Sequence, residues 1–251
     1  VWPRRLPRRV TPPDTALWHN LAISALRYPD KPATVFFGSV LSYAQLRDQA
    51  ERLAGRLQSL GVAKGDRVLL NMQNCPQLVI AHWAILRADA VVVPVNPMNK
   101  AEELRHYILD PDARVAITSA ELAAELAQAS NGLDPSQRLT HLIVSHFTDA
   151  FDAQEQGDDA PPAGWRAWLT TRHRMPQLDG GTVLEWRDAL SGACSPGPMR
   201  SGPQDLAVLL YTSGTTGLPK GCMHPHATIM HQVVAIALVN GGSAEAVSLA
   251  V

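Results

Sequence analysis

Between Arg67 and Ser145, short runs of β-branched and aliphatic residues alternate with segments of helical period, and this alternation constrains the fold more than any other feature. Arg67–Asn71, Val91–Val95, Val115–Thr118 and Leu139–Ser145 read as strands, and Gln77–Arg87, Lys100–Leu109 and Ala120–Ala129 read as helices. Val91–Val95 has no polar interruption, as expected of a strand covered on both faces. Strands joined through single helices form βαβ units. The spacing therefore predicts an α/β protein with a doubly wound, mainly parallel sheet and flanking helices.

The preceding residues predict a helix over Ala16–Tyr28, with Leu17, Leu21, Ala25 and Tyr28 on one face and Pro29 closing it. Thr34–Phe37 and Val40–Ser42 flank Gly38-Ser39 and read as a tight hairpin. Ser42 and Gln45 form a capping box. It opens a helix with core face Leu46, Ala50, Leu53, Leu57 and Leu60, and Gly61 stands at its C′ position. In Gln77–Arg87 the apolar face is Leu78, Ala81, His82 and Ile85. Residues 1–13, with Arg4, Arg5, Arg8 and Arg9 among prolines, read as a flexible basic arm, and 14–251 as the folded part. Residues 148–182, rich in Asp, Pro and Gly, read as a surface insertion with one short helix around Trp165–Leu169. A turn-rich stretch, Ser195–Asp205, leads into the apolar run Leu206–Tyr211, and Ala246–Val251 reads as the start of a further strand.

The net charge of −1 gives no electrostatic reason to expect nucleic acid or an anionic membrane as partner. The longest apolar stretch, around Val233–Val239, falls short of the roughly 20 residues a transmembrane segment needs. Cys75, Cys194 and Cys222 are odd in number and far apart, which argues against disulfides or structural zinc and for a reducing, cytoplasmic setting. His224, His226 and His231 lie close together, but no carboxylate or cysteine pair completes a set of ligands, so no metal site is expected. Cys222 reads as a structural residue, and the scattered tryptophans, Trp165, Trp168 and Trp186 among them, read as packing residues.

The chemistry is concentrated after Leu206–Tyr211, in Thr212-Ser213-Gly214-Thr215-Thr216-Gly217-Leu218-Pro219-Lys220-Gly221. Glycines let backbone N–H groups approach an anion, hydroxyls donate further hydrogen bonds, and Lys220 brings a mobile positive charge; no acidic residue intervenes. A Walker A loop is excluded, because Pro219 and Gly221 stand where glycine and Ser/Thr would flank the lysine. The bland alternative is a hydroxyl-rich turn without a ligand, which ten specified positions disfavour.

Tyr211–Gly221, YTSGTTGLPKG, resembles the signature phosphate loop of the adenylate-forming (AMP-binding) superfamily, which includes acyl-CoA synthetases, aryl-CoA ligases, luciferases and peptide-synthetase adenylation domains. The similarity extends upstream through Leu41-Ser42-Tyr43, Gly65-Asp66-Arg67-Val68 and AVVVPVNP at Ala90–Pro97, and downstream to His226. One departure is Arg87-Ala88-Asp89-Ala90, where relatives read closer to K-A-G-A.

This resemblance implies the amino-terminal part of the large domain of an acyl-CoA synthetase, of the fatty-acid–CoA ligase type. It implies an ATP-dependent carboxylate–CoA ligase acting through an acyl-adenylate, with ATP and Mg2+, and coenzyme A as co-substrate. Thr212, Ser213, Gly214, Thr215, Thr216, Gly217 and Lys220 would hold the nucleotide's phosphates. No catalytic residue is assigned within the chain, since the family's catalytic lysine and its small carboxy-terminal domain lie beyond residue 251. The chain is accordingly expected to be inactive alone and to self-associate through uncovered apolar surface. An aryl-CoA ligase, an amino-acid adenylation domain and a non-catalytic nucleotide-binding remnant are the other readings.

Overall fold

The computed structural model describes residues 6–154, 158–192, 195–212, 217–241 and 243–250. The chain opens with helix α1 (Trp18–Arg27), a hairpin of β1 (Pro32–Phe36) and β2 (Ser39–Ser42), and the long α2 (Tyr43–Ser59). Then follow β3 (Arg67–Asn71), α3 (Pro76–Arg87), β4 (Val91–Pro94), α4 (Ala101–Leu109), β5 (Val115–Ser119), α5 (Ala123–Ser130) and β6 (His141–Ser145). The remainder contributes α6 (Ala163–Thr170), β7 (Thr182–Glu185), α7 (Trp186–Leu190), β8 (Leu206–Thr212), β9 (Lys220–Pro225) and α8 (His226–Asn240).

Seven strands form one sheet in the order β7-β6-β5-β3-β4-β8-β9, parallel throughout except that β9 runs antiparallel to β8. From β3 the chain steps through α3 to β4, then doubles back through α4 to β5 on the other side of β3, so the sheet is doubly wound. Each central strand divides its side chains between two cores. Val68, Leu70, Val92, Ile117 and Ile143 pack on the side of α1, α2, α3 and α7. Leu69, Val91, Val93, Ala116, Leu142 and Val144 face α4 and α5. This two-sided burial explains why polar residues in these strands are confined to their ends.

Local chemistry sets the boundaries. Ser42 Oγ accepts the Gln45 amide at 3.3 Å while Gln45 Oε1 accepts the Ser42 amide at 2.9 Å, which starts α2. At its other end Gly61 sits at φ 92°, the Gly61 amide bonds Gln58 O and the Val62 amide bonds Leu57 O, a Schellman stop that needs a left-handed residue. In the β1–β2 hairpin, Phe36 pairs with Ser39, so the turn is Phe37-Gly38, one residue earlier than the sequence predicts. Phe37 takes φ 46°, which turns its ring onto Phe36 and Phe151 at 4.5 and 5.6 Å. Packing of three phenyl rings outweighs the preference for glycine in the first turn position.

Asp89 closes α3 in the same left-handed way, at φ 63°, and is buried. Its carboxylate accepts the backbone amides of Arg200 (3.0 Å) and Ser201 (2.8 Å). The departure from K-A-G-A therefore has a structural role: the side chain ties down the strap that leads into β8. Lys64 reinforces the tie, donating to Arg200 O at 3.1 Å and pairing with Asp205 at 2.8 Å.

Two strands arise where the sequence predicts none, and one expected strand is absent. Thr182–Glu185 is a strand, parallel to β6, although it is half exposed and too short to signal itself. Lys220–Pro225 is a strand and not the tail of a loop. Residues 246–250 form no strand; Val247 and Leu249 are almost fully exposed, and no sheet edge pairs with them. No helix among the described residues is long and apolar enough to cross a membrane.

Burial holds two histidines neutral. His82 on α3 is pushed down to about 4 by desolvation. His226 is lowered by burial against the opposing pull of Asp205 and Asp89, and its Nδ1 accepts the Leu17 amide at 3.2 Å. Both are lowered from the unfolded 6.5, so the unfolded chain binds more protons and stability is lost as pH falls below 6.5. For His82 the loss by pH 4 is about 1–3 kcal/mol, discounted for partial exposure. Denaturation midpoints measured from pH 7 to pH 4 should therefore drop, and His82→Gln should flatten the profile. An unchanged slope in that variant would refute the assignment.

Candidate functional site: the hairpin after the last parallel strand

β8 is parallel to β4, with Val92 opposite Val208, so it delivers its carboxyl end to the same sheet edge as β3 to β7. Open parallel sheets bind ligands beyond that edge, near the point where the winding reverses. Here the winding reverses at β3 and β4, and β8 adjoins β4. Thr212 is the last residue of β8, and Lys220, the first of β9, is its cross-strand partner. Side chains of directly opposed residues share one face of the ladder. A hydroxyl donor and an ammonium group therefore stand side by side at the mouth of the hairpin, and both residues are exposed.

The other predicted site residues lie between these two. Ser213, Gly214, Thr215 and Thr216 fall outside the described residues. Gly217 is exposed, and a Cβ added there would meet nothing within 4 Å, so the space over its backbone is open. Gly221 does something different from what the sequence suggests. It is a strand residue opposite Tyr211, and an added Cβ would stand 3.0 Å from Leu209 Cδ1 and 3.2 Å from Tyr211 Cζ. Its missing side chain makes room for the tyrosine ring. Cys222 is exposed on β9, which corrects its reading as a packed structural thiol; Cys75, by contrast, is buried, and desolvation pushes its thiol up to about 12.

The hairpin is held at both ends. At the base, the His226 amide bonds Asp205 O at 3.0 Å, and buried His226 starts α8. At the mouth, α4 and its C-cap residue Asp110 supply three side chains. Tyr107 packs its ring edge-on to Tyr211 at 4.7 Å, the Tyr211 hydroxyl donates to Asp110 Oδ2 at 2.5 Å, and His106 Nε2 bonds the Pro219 carbonyl at 2.8 Å. Burial first, and then the hydrogen bond to Asp110, push the Tyr211 phenol upward, so it stays protonated and donates. Sequence reasoning missed His106, Tyr107 and Asp110. The only local signal is that His106 and Asp110 are four apart, hence on one face of the helix.

Donors, a cation and open backbone suit phosphate oxygens. Among the described residues no group of three or more His, Cys, Asp or Glu side chains could hold a metal ion. Beyond the hairpin, α8 buries only His226 and Met230; Val233, Ile236 and Val239 are about half exposed, and Met223 of β9 is more so.

Comparison with known proteins agrees with this fold. The family model described as AMP-binding enzyme matches residues 21–250. A long-chain-fatty-acid–CoA ligase of Bacillus subtilis (strain 168) is 29% identical over 235 residues, which are 91% of this chain and 40% of that protein. A salicyl-AMP ligase / salicyl-S-ArCP synthetase of Mycobacterium tuberculosis (strain ATCC 25618 / H37Rv) is 32% identical over 238 residues, 92% of this chain and 37% of that protein. The inhibitor-bound N-terminal domain of FACL13 from Mycobacterium tuberculosis superposes with a TM-score of 0.63 at 27% identity, covering 84% of this chain and 44% of that one. The chain thus spans well under half the length of these curated relatives.

Proposed function

We propose that this chain, which belongs to the AMP-binding enzyme family of adenylate-forming proteins, carries the polyphosphate grip of an ATP-dependent carboxylate–CoA ligase. The observation that supports this most is the Thr212–Lys220 rung at the carboxyl edge of the parallel sheet, continuous with the hydroxyl- and glycine-rich residues 213–217. In the proposed reaction a carboxylate oxygen attacks the α-phosphate of ATP, pyrophosphate leaves, and an acyl-adenylate forms. A thiol, coenzyme A in this reading, then attacks the acyl carbon and AMP departs.

The hairpin's part is electrostatic and geometric. Thr212, Ser213, Thr215 and Thr216, the backbone at Gly214 and Gly217, and the Lys220 ammonium would hold the β- and γ-phosphates. That keeps the α-phosphate in line for attack and stabilises charge on the leaving pyrophosphate. Magnesium bound with ATP would share that charge.

A fatty acid is the preferred substrate, in keeping with the similarity to long-chain-fatty-acid–CoA ligases. The identity to a salicyl-AMP ligase favours an aryl acid as the second reading. Acid-dependent ATP–pyrophosphate exchange across fatty, aryl and amino acids tests both. Exchange is expected from the protein extended to its relatives' full length, and none from the 251-residue chain alone. Robust exchange by the chain alone, or none by the extended protein with any acid, would refute the proposal.

A further inference from the structure

We propose that His106 is a positioning residue for the phosphate grip, with Tyr211 and Asp110 forming the second half of the same clamp. The inference rests on the phosphate-binding reading of the hairpin and extends it to a helix that reading does not include. The Pro219 carbonyl can only accept, so His106 Nε2 carries a proton and donates to it at 2.8 Å. The Pro219 carbonyl and the Lys220 amide belong to one planar peptide unit. Holding that oxygen therefore sets the orientation of the unit from which Lys220 projects.

The opposite root is held as well, because the Tyr211 hydroxyl donates to Asp110 Oδ2 at 2.5 Å. Residues 106 and 110 lie one helical turn apart, and they reach the hairpin on either side of the Thr212–Lys220 rung, Asp110 at Tyr211 of β8 and His106 at Pro219, the residue before β9. The rings of His106 and Tyr107 flank Tyr211 at 5.8 and 4.7 Å, which packs the tyrosine ring against α4. An isolated hairpin mouth would fray. This one is fastened to α4, whose Leu104 and Ile108 are fully buried against the sheet. The clamp reduces the ordering that a phosphate ligand must impose on Lys220, and preorganisation of that kind raises affinity without adding a contact.

The test uses the 251-residue chain, with magnesium pyrophosphate as the probe in calorimetric titrations. His106→Ala is expected to weaken pyrophosphate about 5- to 20-fold while the denaturation midpoint hardly moves. His106→Gln, whose amide can still donate, should recover affinity to within about threefold of wild type. Tyr211→Phe should weaken binding by a smaller factor. Unchanged affinity in His106→Ala, or a loss that His106→Gln does not repair, overturns the inference while leaving the phosphate-binding reading intact. A wild-type chain that does not bind pyrophosphate overturns both, and that failure is recognisable because it occurs without any substitution.

Discussion

Replacing Lys220 by alanine should weaken pyrophosphate binding by about 10- to 100-fold without measurable loss of stability. Lys220 is exposed at the first position of β9, where it covers no core. Surface substitutions of this type change stability by about 0.5 kcal/mol or less. The lost interaction is of another size. A charge-assisted contact between an ammonium group and a phosphate oxygen contributes about 1.5–3 kcal/mol, and each 1.4 kcal/mol is a factor of ten in affinity. Lys220→Arg keeps the charge and should retain most of the binding, though its planar fork does not reproduce the point charge. Titration of the three chains, with denaturation curves alongside, separates a ligand contact from a folding defect. Equal affinity for Lys220→Ala and wild type would remove lysine from the site.

The second large effect concerns stability. Asp89→Ala should destabilise the chain by about 2–4 kcal/mol, and Asp89→Gly by clearly less. Aspartate at φ 63° stores left-handed strain that glycine would relieve, a difference of about 1 kcal/mol. Against that, its buried carboxylate accepts the amides of Arg200 and Ser201, and hydrogen bonds to a charged acceptor contribute about 1.5–3 kcal/mol each before the loss is softened by water. Alanine loses the bonds and keeps the strain; glycine loses the bonds and relieves it. Urea denaturation should rank aspartate above glycine above alanine. Glycine matching or exceeding aspartate would mean that the strap before β8 is held by Lys64 and Asp205 without this carboxylate.

The departure at Asp89 shows how unevenly the structure could be read from residues alone. β3 and most of β8 were legible because two-sided burial forces unbroken aliphatic runs, and α2 was legible from its cap and its Gly61 stop. β7 was not, since a half-exposed edge strand of four residues has no hydrophobic pattern to detect. β9 contains a glycine and a proline and pairs only because β8 offers it an edge; its strand character is imposed by its neighbour. In the candidate site, the motif Tyr211–Gly221 announced phosphate chemistry through composition. The support from α4 was invisible, because His106 and Pro219 are 113 residues apart and meet only through the sheet. The same motif misled on Gly221, where the need is room for Tyr211 and not freedom of the backbone.

The most direct measurement is a residue-resolved NMR titration of the chain with magnesium pyrophosphate, and with AMP for comparison. If the hairpin grips a polyphosphate tail, the amides from Thr212 to Gly221 shift in a saturable way with pyrophosphate, and AMP, which lacks the β- and γ-phosphates, leaves most of them in place. Shifts confined to other parts of the chain, or identical responses to both compounds, would contradict the account.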